Sequence, residues 1–228
     1  MHSEYNIYFK SCARHILCFK FFCCGFISAA SLLGSSFGGG YDQRWREVSE
    51  KLFERLGELT TVTDTNGFTI LHKWVETYSL SDDSWKKEGI AQIFEYFFQQ
   101  FPDDAVKLML ATDHKDCNNV LHHVAISDST DAVARQLIES YKKCTSLKPS
   151  NLLQPWLMKN KDGDTPLVLA IRNKRDQLAV LFLSTDPVSS LRLSDRLNPF
   201  TFAVCNQCHE VAKEILAKVA EHDLMSLC

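Results

Sequence analysis

The chain lacks a charge excess of either sign: 25 Lys and Arg stand against 28 Asp and Glu, a formal net charge of −3. A protein that grips nucleic-acid phosphates needs a basic field, so nucleic acid loses its support as a partner. There is no long hydrophobic run either. The most apolar stretch, Phe21 to Leu33, is about 13 residues, short of the roughly 20 that a membrane-spanning helix requires. Nine cysteines are present, but the number is odd, four of them (Cys12, Cys18, Cys23, Cys24) crowd the first 24 residues, and the rest are scattered. That distribution excludes a regular disulfide framework and points to a reducing, cytoplasmic compartment. Catalytic signatures are missing as well: there is no nucleophile elbow, no glycine loop for phosphates and no zinc-protease helix motif. The paired carboxylates Asp82-Asp83 and Asp103-Asp104 fall in polar loops without a base or nucleophile beside them. A non-catalytic protein without a cofactor is expected.

What is present is repetition. The segment Asn160-Lys161-Asp162-Gly163-Asp164-Thr165-Pro166-Leu167 superimposes on Leu193-Ser194-Asp195-Arg196-Leu197-Asn198-Pro199-Phe200, with the two prolines 33 residues apart. The correspondence continues downstream: Leu169-Ala170 pairs with Phe202-Ala203, and Leu178-Ala179 with Val211-Ala212. A turn, a capped helix start and a second apolar helix at that period describe a chain built by stacking. Its 228 residues, 45% of them hydrophobic and 23% charged, suffice for one such array and its flanks.

Two further copies lie upstream. In Asp64-Thr65-Asn66-Gly67-Phe68-Thr69-Ile70-Leu71-His72, Asp and Asn start a tight turn, Gly67 supplies a positive φ and Thr69 is a helix-capping residue. His114-Lys115-Asp116-Cys117-Asn118-Asn119-Val120-Leu121-His122 is a weaker copy, with Asn119 as cap and Cys117 in the glycine position. Four units therefore begin near Asp64, His114, Asn160 and Leu193. Their second helices are expected at Ile90 to Phe101, Ala132 to Lys142, Gln177 to Leu183 and Glu210 to Val219, each with apolar residues three and four apart. Ahead of them, Trp45, Val48, Leu52, Leu56 and Leu59 form a helical stripe that Asp42 can cap, a lid over the first unit.

The pattern resembles the ankyrin repeat family, whose core reads Asp-x-x-Gly-x-Thr-Pro-Leu-His-x-Ala. Thr165-Pro166-Leu167-Val168-Leu169-Ala170 is the best match. Thr69-Ile70-Leu71-His72 and Asn119-Val120-Leu121-His122 keep leucine and histidine but lose proline, and Asn198-Pro199-Phe200-Thr201 keeps only proline. The resemblance covers roughly Asp64 to Val219. It implies an all-α solenoid of helix-turn-helix units with β-turn fingers, here with inserted loops. The domain organisation expected is a Cys-rich leader and Gly/Ser linker over 1–40, a capping helix over 41–60 and a repeat domain over 61–228. Gly67 to Cys117 and Cys117 to Gly163 both exceed the family period. The excess falls in Ser79 to Glu88, in Phe101 to Thr112, where Pro102-Asp103-Asp104 can start an extra helix through Leu110, and in Cys144 to Met158. The long inserts resemble those in cytosolic ankyrin domains of some cation channels.

Such a fold implies a partner that is another protein, held by a monomeric chain on the finger tips and the outer face of each first helix. In this register those positions are Thr65, Asn66, Phe68 and Glu76; Lys115, Asp116 and Asn118; Lys161, Asp162, Asp164, Arg172 and Asn173; and Ser194, Asp195, Leu197 and Asn206. Phe68, Leu197 and Arg172 are the expected anchors, because aromatic and Arg side chains dominate binding hot spots. The fold implies that these side chains contact no neighbouring repeat. Charge reversal at Asp162 and Arg172 is then expected to spare stability.

Three features compete with that reading. The leader, with Lys10, Arg14 and Lys20 before the apolar run, fits a secretory signal, an unordered segment, or a lipid anchor through Cys23 and Cys24. The anchor would make the protein a membrane-tethered regulator. Cys205-Asn206-Gln207-Cys208-His209 matches a c-type haem attachment sequence. In the repeat register, however, Cys205 is a helix-surface position, Gln207 takes the place of a turn glycine and Cys208-His209 opens a helix; no metal ligand set is expected here or at His122-His123. Phe94, Tyr96, Phe97 and Phe98 crowd one helix, either as core or as an exposed patch for a partner.

Overall fold

Three polar turns, referred to below as fingers, organise the structure. The computed structural model describes residues 63–80, 94–95, 97–127, 131–146, 153–186 and 199–226. In the first finger the Asp64 N–H donates to the Phe68 carbonyl at 3.0 Å. The Asp64 carboxylate accepts from the N–H groups of Asn66 and Phe68 at 2.8 and 2.9 Å. Asn160 does the same for Asp162 and Asp164 in the third finger. Each turn needs one residue at positive φ: Gly67 at 81°, Gly163 at 82° and, without a glycine to supply it, Cys117 at 56°. The second finger is one residue longer. Its initiating side chain is Asp113, one position earlier than the His114 start expected, and it accepts from Lys115 and Asp116.

Each finger delivers the chain into a helix whose first turn is capped locally. α1 (Ile70–Leu80) starts where the Thr69 N–H and hydroxyl meet Nδ1 of His72 at 3.2 and 2.8 Å. α3 (Val120–Ile126) begins with a capping box between Asn119 and His122. α5 (Pro166–Arg172) has Thr165 as N-cap and Pro166 at its first position, where the missing N–H costs nothing. α7 (Pro199–Cys205) also opens on a proline.

The other helices are α2 (Pro102–Leu110), α4 (Asp131–Thr145), α6 (Asp176–Thr185) and α8 (His209–Ser226). α5 and α7 end identically. Lys174 and Gln207 adopt φ of 57° and 63°, and Arg175 and Cys208 send their N–H back to the carbonyls of Ala170 and Ala203, both at 2.9 Å. This is a Schellman stop with a long side chain in the glycine position. Residues 94–95 and 97–100 are helical as well, and α2 follows immediately, started by Pro102 with Asp103 and Asp104 in its first turn. The expected extra helix from Pro102 to Leu110 is therefore present.

The helices pack as two rows. α1 touches α3 and α3 touches α5, while α2, α4, α6 and α8 meet in sequence behind them. Leu71, Leu121 and Leu167 occupy equivalent places and are 0, 0 and 1% exposed. Burying each contributes about 2 kcal/mol. Phe94, Phe97 and Phe98 belong to the core, with Phe94 and Phe97 set edge-on to Trp74. They form no exposed patch; Tyr96 lies outside the described residues. The Pro155–Leu157 turn of 3-10 helix buries Trp156 against Tyr141, and the Tyr141 hydroxyl donates to Leu153. Among the described residues there is no strand, only an isolated bridge between Thr112 and Asn119, and the architecture is all-α. No helix among them is long and apolar enough to cross a membrane.

Candidate functional site

Adjacent fingers are joined through their backbones. The His114 N–H donates to the Asn66 carbonyl and the Lys161 N–H to the Asp116 carbonyl, both at 2.8 Å. Asn160 Nδ2 adds a side-chain link to Asn118 Oδ1 at 3.0 Å. This leaves the tips aligned along one edge, with Thr65, Asn66, Lys115, Lys161 and Asp162 exposed and Asp116 half-buried.

Not every expected contact residue is available. Asn118 and Asp164 are buried. Asn118 is held by Asn160, and Asp164 accepts a two-pronged pair from Arg172 at 2.5 and 3.0 Å. Asn173 is exposed but donates to the Ala125 carbonyl of the preceding unit. Asn118 and Asn173 thereby reach a neighbouring unit, contrary to the expectation, while Asp164 is engaged within its own. Bidentate pairing ties Arg172 to the fold, so reversing its charge is expected to cost stability. Phe68 is half-buried: its ring stacks on His72 at 5.6 Å, meets His123 edge-on at 4.9 Å and carries the Lys73 ammonium above it at 4.6 Å. Glu76 is exposed and pairs with Lys73. Asn206 is half-buried and donates to the Phe202 carbonyl within its own helix turn. Ser194, Asp195 and Leu197, the leader with Cys23 and Cys24, the 41–60 helix and Asp82-Asp83 lie outside the described residues.

The outer face of the first helices carries one more exposed position per unit: Glu76, Ile126, Arg172 and Cys205 share a register and are all exposed. Ile126, 50% exposed, was not singled out by the sequence. Its signal was present in the alignment of Asn119 with Thr165, which sets Ile126 beside Arg172.

Histidine chemistry here is structural. His122 Nδ1 sits 2.7 Å from Asn119 Oδ1, and Nε2 reaches the Asp164 carbonyl at 3.1 Å. Burial first, then neighbouring His123, hold it down to a pKa of about 4 against the opposing pull of its backbone partner. His123 instead pairs with Asp113 at 2.8 Å. Burial alone would raise the Asp113 carboxyl, but the Asp116 N–H and His123 pull it below the ordinary carboxylate range. The Cys-x-x-Cys-His segment is split by the fold. Cys205 is exposed, whereas Cys208 is buried and points its thiol at the Ile171 carbonyl; burial, then Asp176, raise that thiol. Among the described residues no group of three or more His, Cys, Asp or Glu is placed to hold a metal ion. No protein-family model and no curated protein matches the chain.

Proposed function

We propose that this chain is a non-catalytic protein-binding module of the ankyrin type, working in the cytosol. It would hold a protein partner along its finger tips and the outer face of its first helices. The observation that carries the reading is the continuous backbone link from Asn66 to His114 and from Asp116 to Lys161. It holds exposed side chains of mixed charge in a fixed row while the hydrophobic core lies in the helices behind. A rigid row of polar tips gives a partner pre-organised contacts at little entropic cost. Thr65, Asn66, Lys115, Lys161 and Asp162 are the exposed polar contacts, Ile126 the exposed apolar one, and Phe68 and Arg172 border the row from their held positions.

The test is quantitative affinity capture with the full chain against a Lys115→Glu/Lys161→Glu variant. Arg135→Glu/Glu139→Lys on the exposed face of α4 serves as control. Partner loss only in the finger variant, at an unchanged thermal midpoint, supports the reading. Loss in both variants, or in neither, contradicts it.

A further inference from the structure

Three units carry His72, His122 and Val168 at one register position, the two histidines buried and the valine half-buried. At His122 both ring nitrogens are engaged, Nδ1 within the capping box and Nε2 on the Asp164 carbonyl. At His72 only Nδ1 is. The Thr69 N–H donates to it, which places the single proton of the neutral ring on Nε2. That nitrogen is buried without a hydrogen-bond partner. The Asn118 carbonyl lies close enough to favour a charged ring, but not in hydrogen-bond geometry.

A second proton has to enter at Nδ1. It would confront the Thr69 N–H with another donor and leave that backbone group without its acceptor. The charge would arise in a residue 1% exposed, with the His123 ring edge-on at 5.0 Å. The other charged groups around it are already committed. Asp113 is bound to His123, and Asp64 to Lys73 at 3.2 Å, with Lys73 also on Glu76. Behind α1, α2 turns the buried Ala105, Val106, Leu108 and Met109 inward and keeps Asp104 paired with Lys107. Residues 94–95 and 97–100 contribute the buried rings of Phe94 and Phe97 there, with Glu95 exposed. None of these supplies a free carboxylate to receive an imidazolium.

We propose that the seam between the first and second fingers is an acid-operated latch. Protonation of His72 at Nδ1 releases the first finger and α1 from the second finger and α3, while the α5–α6 end, with Val168 in the same place, stays closed. Release breaks the Asn66–His114 link and frees Phe68 from between His72 and His123. Acid thereby shortens the row of fingers from its N-terminal end.

Amide hydrogen exchange on the full chain at about pH 7.5 and about pH 5, corrected for intrinsic rates, tests this. A ring held at about 4 when closed and at its ordinary value when open multiplies opening about 30-fold at the lower pH. That acceleration is expected in amides of Ile70–Leu80 that exchange without global unfolding, whereas the amides of Pro166–Arg172 follow the global unfolding free energy at both pH values. His72→Gln keeps an acceptor at the third helix position and removes the proton site, so it should abolish the difference. Should that variant fail to fold, the NMR titration of His72 in the unaltered protein decides, with a midpoint below about 5 expected. Exchange in Ile70–Leu80 that follows global unfolding at both pH values, no acceleration there, persistence of the effect in His72→Gln, or a His72 midpoint near 6.5 overturns the latch.

Discussion

The two junctions between successive fingers share a layout and differ in what fastens them. Between the second and third units the links are polar and paired. His122 reaches the Asp164 carbonyl, Asn160 reaches Asn118, and Asn173 reaches Ala125. Arg175 crosses to the Val124 carbonyl at 2.6 Å, to the Ser127 carbonyl and to Asp131. Between the first and second units one backbone bond is accompanied by rings: Phe68, His72 and His123, with Lys73 over the Phe68 face. Hydrogen bonds to a fixed carbonyl are indifferent to pH as long as the donor keeps its proton. A cluster of imidazoles is not. The same backbone arrangement is therefore fastened mainly by paired polar groups at one seam and by packed rings at the next, through a change of a few side chains.

The largest effect is expected on acidification. His72 and His122 are both held at about 4 in the folded chain and return to about 6.5 when it unfolds. The unfolded state then binds more protons between those values, so stability is complete above about pH 6.5 and falls as pH drops toward 4. Each ring accounts for up to about 3 kcal/mol. Urea unfolding at stepped pH reads the slope, and His122→Gln should remove about half of it.

Glycine substitutions come next. A Cβ on Gly67 would lie 2.6 Å from the His114 ring and 2.9 Å from the His114 backbone nitrogen, whereas one on Gly163 meets nothing within 4 Å. Both sit at positive φ. Gly163→Ala should cost about 1 kcal/mol of backbone strain. Gly67→Ala adds a steric term and should cost about 3 kcal/mol. Equal losses in chemical denaturation would show that the first junction is looser than described.

Arg175→Ala removes the clamp on the Val124 and Ser127 carbonyls and should cost about 2 kcal/mol. Exchange should rise first at the end of α3 and the start of α4. The smallest effect is a gain. Cys117 is exposed and holds φ at 56°, so Cys117→Gly should raise stability by about 0.5–1 kcal/mol, read as a shift in denaturation midpoint.

Much of this could be read from residue order because it is local. Turn chemistry predicted the positive φ of Gly67, and the repeat register set Gly163, Cys117 and Gln207 at turn-glycine positions, where each also has positive φ. Proline followed by two aspartates predicted α2, and apolar spacing predicted α4, α6 and α8 to within a few residues at their starts. What escaped depends on contacts between distant residues or on a single inserted one. The extra residue in the second finger moved its initiator to Asp113. Asn118 with Asn160, and Arg175 with the end of α3, are pairs separated by more than forty residues. Asp164 with Arg172 is only eight apart, yet both looked like free contact residues, because a repeat pattern marks surface positions without saying which already have partners. Lys174 escaped for another reason: its left-handed conformation is imposed by the helix stop and not by its own preference.

In the proposed function, binding by this chain rests on the finger tips being the face that meets a partner. A photo-reactive amino acid placed in turn at Lys115, Lys161, Arg135 and Glu139 of the full chain, in cells, measures this directly. One shared cross-linked protein is expected from Lys115 and Lys161, and none from the α4 positions. Cross-links that favour Arg135 and Glu139 would place the partner on the opposite face and contradict it.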